Sequence, residues 1–383
     1  MAGNNTSLQG KFGIIIGGSG LVGGAIVHYF KKKWGCEILA PNSKQLSIRD
    51  SEDIRGFFQE LRPDFIINSA IAAIDSNPKI SFEINYLGTI NIAKVAAALG
   101  IPYIFFSSAA VLPEGENLTE ENHRPLRPAM SNYAKSKLMS ELTLEHLRKT
   151  EGLDHTVVRL AIVYGKHDHK IQGFHRLLFS VADQSMPMLF TGRNVCHSYS
   201  NAKKIPYFLR HILLNREEFS GQTFHFVDPN PVRLAQLILT IRSYLELKRP
   251  REMYLPYPVA RFGANFLKKA IKQLIRLGID ARMPPELMFL KNFYETQTLS
   301  AKKLKSSSFV DSFPNESVFT QLPEVIQYYL TRWEQLNLIA AYDKEFFDPQ
   351  RLSEEFLNSP ETLLADIHAD RVSPFSAFRT DKQ

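Results

Sequence analysis

Between Phe12 and Leu160 short, unbroken apolar runs alternate with stretches of helical length, and this rhythm constrains the fold more than any other property of the chain. The runs are Gly13-Ile14-Ile15-Ile16, Glu37-Ile38-Leu39, Phe65-Ile66-Ile67, Tyr103-Ile104-Phe105-Phe106 and Thr156-Val157-Val158. Apolar runs without alternation belong to strands buried on both faces, and strand-helix-strand repetition requires right-handed crossovers in a parallel sheet. The expected fold class is therefore α/β, with a doubly wound parallel sheet. At 383 residues, 44% hydrophobic and 22% charged, the chain can build that layer and a smaller lobe beside it. The rhythm fades after Tyr164-Gly165, where the polar run Lys166 to Lys170 begins. Residues 1–165 are read as the sheet domain, with 200–230 returning to it through Thr223-Phe224-His225-Phe226. Residues 166–199 and 231–340 are read as a smaller, mostly helical lobe, including a helical pattern at Leu322 to Leu338, and 341–383 as a C-terminal appendage.

The first run leads directly into Gly17-Gly18-Ser19-Gly20-Leu21-Val22-Gly23-Gly24 and then the amphipathic stretch Ala25 to Phe30. An isolated glycine triplet is more often a plain turn. Here strand, loop and helix come in order, so the glycines let the backbone approach a pyrophosphate at a helix N-terminus. Tyr133 and Lys137 stand four residues apart, neighbours on one helical face. A phenol is a poor base near neutrality, and an adjacent ammonium is expected to favour its ionised form. Ser107 and Ser108 follow the run Tyr103 to Phe106, at a strand end where a hydroxyl can meet a substrate oxygen.

Taken in this order the motifs resemble the extended short-chain dehydrogenase/reductases, the NAD-dependent epimerase/dehydratase family, whose nucleotide domain is a Rossmann fold. The resemblance runs from Lys11 to Gly165 and includes Asn68-Ser69-Ala70, which follows the family's fourth-strand pattern. It also includes Asn85-Tyr86-Leu87-Gly88-Thr89, then Pro125, Pro128 and Ser131 ahead of Tyr133, and Arg159 to Gly165 beside the nicotinamide. It implies a catalytic set of Ser108, Tyr133 and Lys137, with Ser107 as the alternative hydroxyl and Lys137 also reaching the nicotinamide ribose. It further implies dinucleotide contacts from Gly17, Ser19, Gly20, Leu21, Val22 and Gly23, from Asn42, Ser43, Lys44, Ile48 and Arg49, and from Ser69, Ala70, Ile71, Ser107, Leu160 and Ile162, besides Tyr133 and Lys137. A carboxylate about 20 residues past the loop would favour NAD. Pro41-Asn42-Ser43-Lys44 offers none, and Ser43 and Lys44 suit a 2′-phosphate, so NADP is preferred over NAD, with a merely solvated turn as the alternative. Ser47 stands where the family places a carboxylate for the adenine amino group.

Within the family, Lys44 to Asn91, with Arg62-Pro63-Asp64 and Asp75 around the third run, looks most like sugar 4-keto reductases. The implied reaction is hydride transfer at a secondary alcohol or ketone of a small-molecule substrate. Family dehydratases follow the catalytic hydroxyl with an acidic pair, whereas Ala109 and Ala110 follow Ser108, which disfavours dehydration. Three alternatives stay open: an epimerase acting through a keto intermediate, a 3-beta-hydroxysteroid dehydrogenase-like enzyme with an apolar substrate, and a non-catalytic dinucleotide-binding regulatory subunit. Departures from the family at Ser47, Leu112 and Lys203 keep the last alive. Leu112-Pro113 replaces the usual Tyr-Gly and is expected to alter the substrate wall, and Cys196 and Lys203 stand near where nucleotide-sugar enzymes carry a phosphate-binding arginine and an aspartate.

The formal charge is +7. In Pro258 to Leu277, Val259, Phe262, Phe266, Ile271, Leu274 and Ile275 recur near helical spacing beside Arg261, Lys268, Lys269, Lys272 and Arg276. Such a helix either packs on a core with a solvated basic face, the preferred reading, or touches an anionic membrane surface. Lys31-Lys32-Lys33 and Lys302-Lys303-Leu304-Lys305 sit in no nucleic-acid module, and no nucleic-acid partner is expected. His167 and His169 have no third ligand at a suitable spacing, so no metal is expected. With two cysteines, Cys36 and Cys196, and a polar stretch from Met1 to Lys11, a cytoplasmic location is expected. The resemblance implies a homodimer.

Overall fold

The computed structural model describes residues 7–74, 76–183, 191–247, 256–276, 290–336, 338 and 356–368. These fall in two compact units, Met1–Gln321 and Leu322–Gln383. Asp75, Leu277 and most of the appendage 341–383 lie outside the described residues.

The first half of the chain forms β1 (Phe12–Ile16), α1 (Leu21–Lys32), β2 (Glu37–Leu39), α2 (Ser51–Leu61), β3 (Phe65–Asn68) and a short α3 (Pro78–Ile80). A π-helical turn, Ser81–Leu87, then runs into α4 (Gly88–Leu99), followed by β4 (Tyr103–Ser108), β5 (Gly115–Leu118), α5 (Asn132–Glu151) and β6 (His155–Leu160). Beyond these come β7 (Ile162–Tyr164), α6 (Gly173–Ala182), β8 (Cys196–His197), β9 (Tyr199–Asn201), α7 (Ile205–Leu214), α8 (Arg216–Phe219) and β10 (Gln222–Phe226). The unit continues with β11 (Val232–Arg233), α9 (Leu234–Tyr244), α10 (Tyr257–Arg276), β12 (Gln297–Leu299) and α11 (Lys302–Lys305).

Six strands make the main sheet in the order β10-β6-β4-β3-β1-β2, and every pair is parallel. The five apolar runs are all strands of it. Their continuity has a direct cause: Ile15, Ile67, Ile104 and Val158 enter the core on one face, while Ile14, Ile66, Phe105 and Val157 enter the core on the other. β10 pairs with β6 along its whole length, from Gln222 opposite Thr156 to Phe226 opposite Leu160. β3 is third in chain order, not fourth, because residues 40–64 form the helix α2 and no strand. From β1 the chain order runs to β2 on one side and to β3 and β4 on the other, the switch point where such sheets open a crevice at their carboxyl ends.

Two smaller sheets lie outside this layer, β11-β8-β12-β5 and β7-β9. Strands of two to four residues are too short to leave an alternation in a sequence. In the second unit most of α12 (Val318–Gln335) is present, with Tyr329 and Trp333 buried and stacked 5.6 Å apart, followed by a helix at Pro360–His368. Among the described residues no helix is long and apolar enough to cross a membrane.

Candidate active site

The glycine loop closes the carboxyl end of β1, and its glycines are there for different reasons. Gly17 has φ +80°, and a Cβ on it would lie 2.6 Å from the Ala70 nitrogen, so the end of β1 touches the end of β3 through backbone. A Cβ on Gly23 would collide with the Gly17 carbonyl and lie 2.6 Å from Ser69 Oγ, so α1 rests directly on both strand ends. Gly20 is different. Its φ is −80°, and a Cβ there would meet nothing nearer than the Gly17 carbonyl oxygen at 3.6 Å. The protein gives Gly20 no reason to be glycine, whereas a pyrophosphate held against the loop and the first N–H groups of α1 would. α1 has no acidic residue in its first turn to compete for that place.

Loops after β2 and β3 frame the same crevice. Asn42 Oδ1 accepts the N–H groups of Lys44 (2.9 Å) and Gln45 (3.2 Å), forming a compact turn with Ser43 and Lys44 exposed. Gly18 packs against Ala40 and so sets this turn beside the glycine loop. A carboxylate does reach Ser47, from another position: Asp53 Oδ2 accepts its N–H at 2.9 Å. Ile48 packs where a Cβ on Gly88 would stand, and Arg49 pairs with Glu83 at 3.1 Å. Asn68 accepts the Ala70 N–H (3.1 Å) and donates to Tyr103 Oη (2.9 Å), which holds the turn carrying Ser69, Ala70 and Ile71. Asn85, inside the π turn, is fully buried, accepts the Ala72 N–H (2.8 Å) and offers its carbonyl to Ser140 on α5 (3.1 Å). One distorted turn thereby ties the β3 loop to α5.

The hydroxyls and the lysine converge where β4 ends. Ser131 caps α5 by accepting the Ala134 N–H (3.2 Å), which fixes the first turn carrying Tyr133. Ser108 accepts the Ala110 N–H (3.2 Å) and lies beside the Tyr133 hydroxyl, whose pKa it lowers. Although Tyr133 is partly exposed, burial of its hydroxyl pushes the phenol above its ordinary value, and the neighbouring Ser108 hydroxyl acts the other way. Lys137 is buried, donates to the Phe106 carbonyl at 2.7 Å and sits 4.6 Å from the centre of the Phe105 ring. Burial lowers its pKa to about 7, with Glu141 opposing. The expected correction of the phenol by a lysine cation is therefore not what the geometry shows. Lys137 is itself desolvated and turned toward a carbonyl, and Ser108 is the group that lowers the phenol. Ser107, the alternative hydroxyl, is buried with an Oγ that has no hydrogen-bond partner.

A buried ionic network stands behind these residues, and sequence reasoning missed it. Arg159 forks onto Glu141 at 2.9 and 2.7 Å, with both side chains below 10% exposure, and donates to the Glu120 carbonyl. Glu120 in turn accepts the His225 N–H at 2.9 Å. His225 is fully buried, and burial together with Arg159 brings its pKa down to about 4, so it is neutral at pH 7. Ser107, Arg159 and His225 lie side by side on β4, β6 and β10. The signals were available: Tyr133, Lys137 and Glu141 repeat at four-residue steps, and Arg159 interrupts an apolar strand.

The remaining candidate positions differ in their surroundings. Leu112 is fully buried against Val111, Leu138, Val227 and Leu299, so the Leu112-Pro113 change alters core packing rather than a substrate wall. Lys203 is held by Glu316 at 2.5 Å and lies 4.5 Å from the Phe313 ring. Leu160 is buried opposite Ser108, and Ile162 begins the separate β7-β9 pair.

The profile of the NAD dependent epimerase/dehydratase family matches residues 14–220, more than half of the chain. The chain belongs to this family. Among its relatives, methionine adenosyltransferase 2 subunit beta of Xenopus tropicalis is 26% identical over 186 residues, which cover 46% of this chain and 54% of the relative. The chain thus spans about half the length of this first curated relative. GDP-L-fucose synthase of Dictyostelium discoideum is 25% identical over 263 residues, 61% of this chain and 80% of that protein. The solved structure of a GDP-L-fucose synthetase from Naegleria fowleri bound to NADP matches with a TM-score of 0.60 at 18% identity, covering 85% of this chain and 96% of the other. At that identity the likeness shows the extended short-chain dehydrogenase/reductase fold alone. Gly20 and the orphaned Ser107 hydroxyl are two features that the protein itself leaves unexplained, and both fit the dinucleotide after which the family is named.

Proposed function

We propose that this family member is an NADP-dependent reductase acting on the keto group of a sugar. The observation that carries the reading is the convergence of Ser108 and Tyr133 at the carboxyl end of β4, with Lys137 one helical turn along α5 and turned to the Phe106 carbonyl. The dinucleotide, when bound, supplies the hydride for the carbonyl carbon. Ser108 holds the carbonyl oxygen and Tyr133 gives it a proton. A phenol that burial keeps protonated has a proton to give to the substrate oxygen as the hydride arrives. Lys137, with a pKa of about 7, is a suitable group to return a proton to Tyr133. Asn42, Ser43 and Lys44, an exposed turn without a carboxylate, are assigned to the 2′-phosphate of NADP.

Two other readings are distinguishable. A single-site epimerase would return a stereoisomer with no net consumption of dinucleotide. A dinucleotide-binding subunit without turnover is favoured by one observation, the match to a protein named as a subunit of an adenosyltransferase. Wild-type protein and Tyr133→Phe are compared over a panel of ketosugars and sterols. Turnover is expected to fall by about a hundredfold to ten-thousandfold with NADPH affinity unchanged. Equal turnover removes Tyr133 from the chemistry, tighter binding of NADH than of NADPH overturns the cofactor assignment, and tight binding with no turnover on any substrate selects the subunit.

A further inference from the structure

The first half of α10 (Tyr257–Arg276) carries large apolar side chains into water. Among its described side chains the buried ones are Ala260 and Ala264, 5% and 7% exposed, while Ile271, Leu274 and Ile275 lie outside the described side chains. Val259, Phe262 and Phe266 point the other way, at 54%, 77% and 69% exposure. At 100° per residue these three share a sector of roughly 60°, well separated from the two alanines. The core-packing arrangement preferred from the sequence therefore does not hold for them. Tyr257 anchors the start of the helix by packing on Tyr294, ring centres 5.2 Å apart. The helix is thus tied to its unit while its rings stand in water.

Charge selects what covers those rings. The twenty residues hold Arg261, Lys268, Lys269, Lys272 and Arg276 and no Asp or Glu. Arg261 and Lys269 are exposed, and Lys269 falls beside Phe262 on the helical wheel. A second copy would bring the same cationic helix and the same net charge of +7, so like charges would meet. An anionic bilayer surface complements both features, taking rings into the boundary between headgroups and chains and cations at the headgroups.

We propose that α10 is an interfacial helix that docks this protein on anionic membrane surfaces through Val259, Phe262 and Phe266, with Arg261 and Lys269 on the headgroups. The attachment lies in the plane of the bilayer. The test uses the full chain with sedimenting vesicles of equal parts phosphatidylcholine and phosphatidylglycerol, and with pure phosphatidylcholine, at low salt. The mixed vesicles are expected to pellet the protein and the neutral ones to leave it in solution. Phe262→Ser with Phe266→Ser is expected to weaken partitioning by at least about tenfold, with near-ultraviolet circular dichroism unchanged. The control Lys31→Glu with Lys32→Glu, on the distant end of α1, is expected to stay within about twofold of wild type. Equal partitioning of the phenylalanine variant, equal binding to neutral vesicles, or an equal loss in the control overturns the proposal. So does a dimer in sedimentation equilibrium that the phenylalanine variant dissociates, since the face would then belong to a second copy.

Discussion

α5 and α10 are both twenty residues long, and they depart from the ordinary helix in opposite directions. α5 carries Lys137 and Glu141 into the interior, whereas α10 carries Phe262 and Phe266 into water. Folding alone favours neither arrangement, because buried charges need partners and exposed rings forgo the stabilisation of burial. In α5 the partners are internal: Phe106, Arg159 and the Glu120-His225 pair close the network within the fold. In α10 the buried side chains among those described are alanines, and the proposed complement of its rings is a membrane surface. The contrast teaches that a helix can hold its exceptions by pairing them inside the fold, as α5 does, or leave them at the surface, as the first half of α10 does.

The contrast breaks most easily at Glu141. Glu141→Gln leaves Arg159 buried without its counter-charge and is expected to destabilise the protein by about 3 to 5 kcal/mol. Urea unfolding measures this, and a loss under about 1 kcal/mol would mean that the pair is solvated in solution. Next in size is the pH response of Lys137. Its pKa is about 7 in the fold and returns to 10.5 on unfolding, so between those values the unfolded chain binds more protons and stability rises with pH. From about pH 7.5 to 9.5 the wild type should gain about 2 kcal/mol relative to Lys137→Met. A parallel pair of curves would show an ordinary, hydrated lysine.

Smaller effects sharpen the picture within the glycine loop. Gly23→Ala should destabilise the protein by about 1 to 3 kcal/mol because its Cβ has nowhere to go. Gly20→Ala should leave stability within about 0.5 kcal/mol and weaken NADPH binding, as read by fluorescence titration. If Gly20→Ala binds NADPH normally, the pyrophosphate does not lie against that residue. The smallest expected change is in α10, where Phe262→Ser should change the unfolding free energy by less than about 0.5 kcal/mol. A larger loss would mean that the ring has a packing partner in solution.

Much of the main sheet was legible because burial on both faces writes itself into residues such as Ile14 and Ile15 as an unbroken run. The proximity of Ser108, Tyr133 and Lys137, though not their role, was legible as well, since one strand end and one helical step bring them together. The partners of these residues were not. Arg159 meets Glu141 across 18 residues and His225 across 66, contacts that no local spacing encodes. The direction of α10 was hidden for a related reason: an amphipathic pattern says that a helix has two faces, but only packing says which one looks inward.

The pairing of β5 with β12 has a consequence for synthesis. Gly115 meets Gln297, and the Asn117 N–H is accepted by Thr298 Oγ1 across 181 residues. The six-stranded layer can be complete once residue 226 has left the ribosome, while the four-stranded sheet must wait for residue 299. A nascent chain therefore displays the hydroxyl pair and the glycine loop on a finished platform while the edge of β5 is still unpaired with β12. During that interval the chain most needs protection from association with its neighbours.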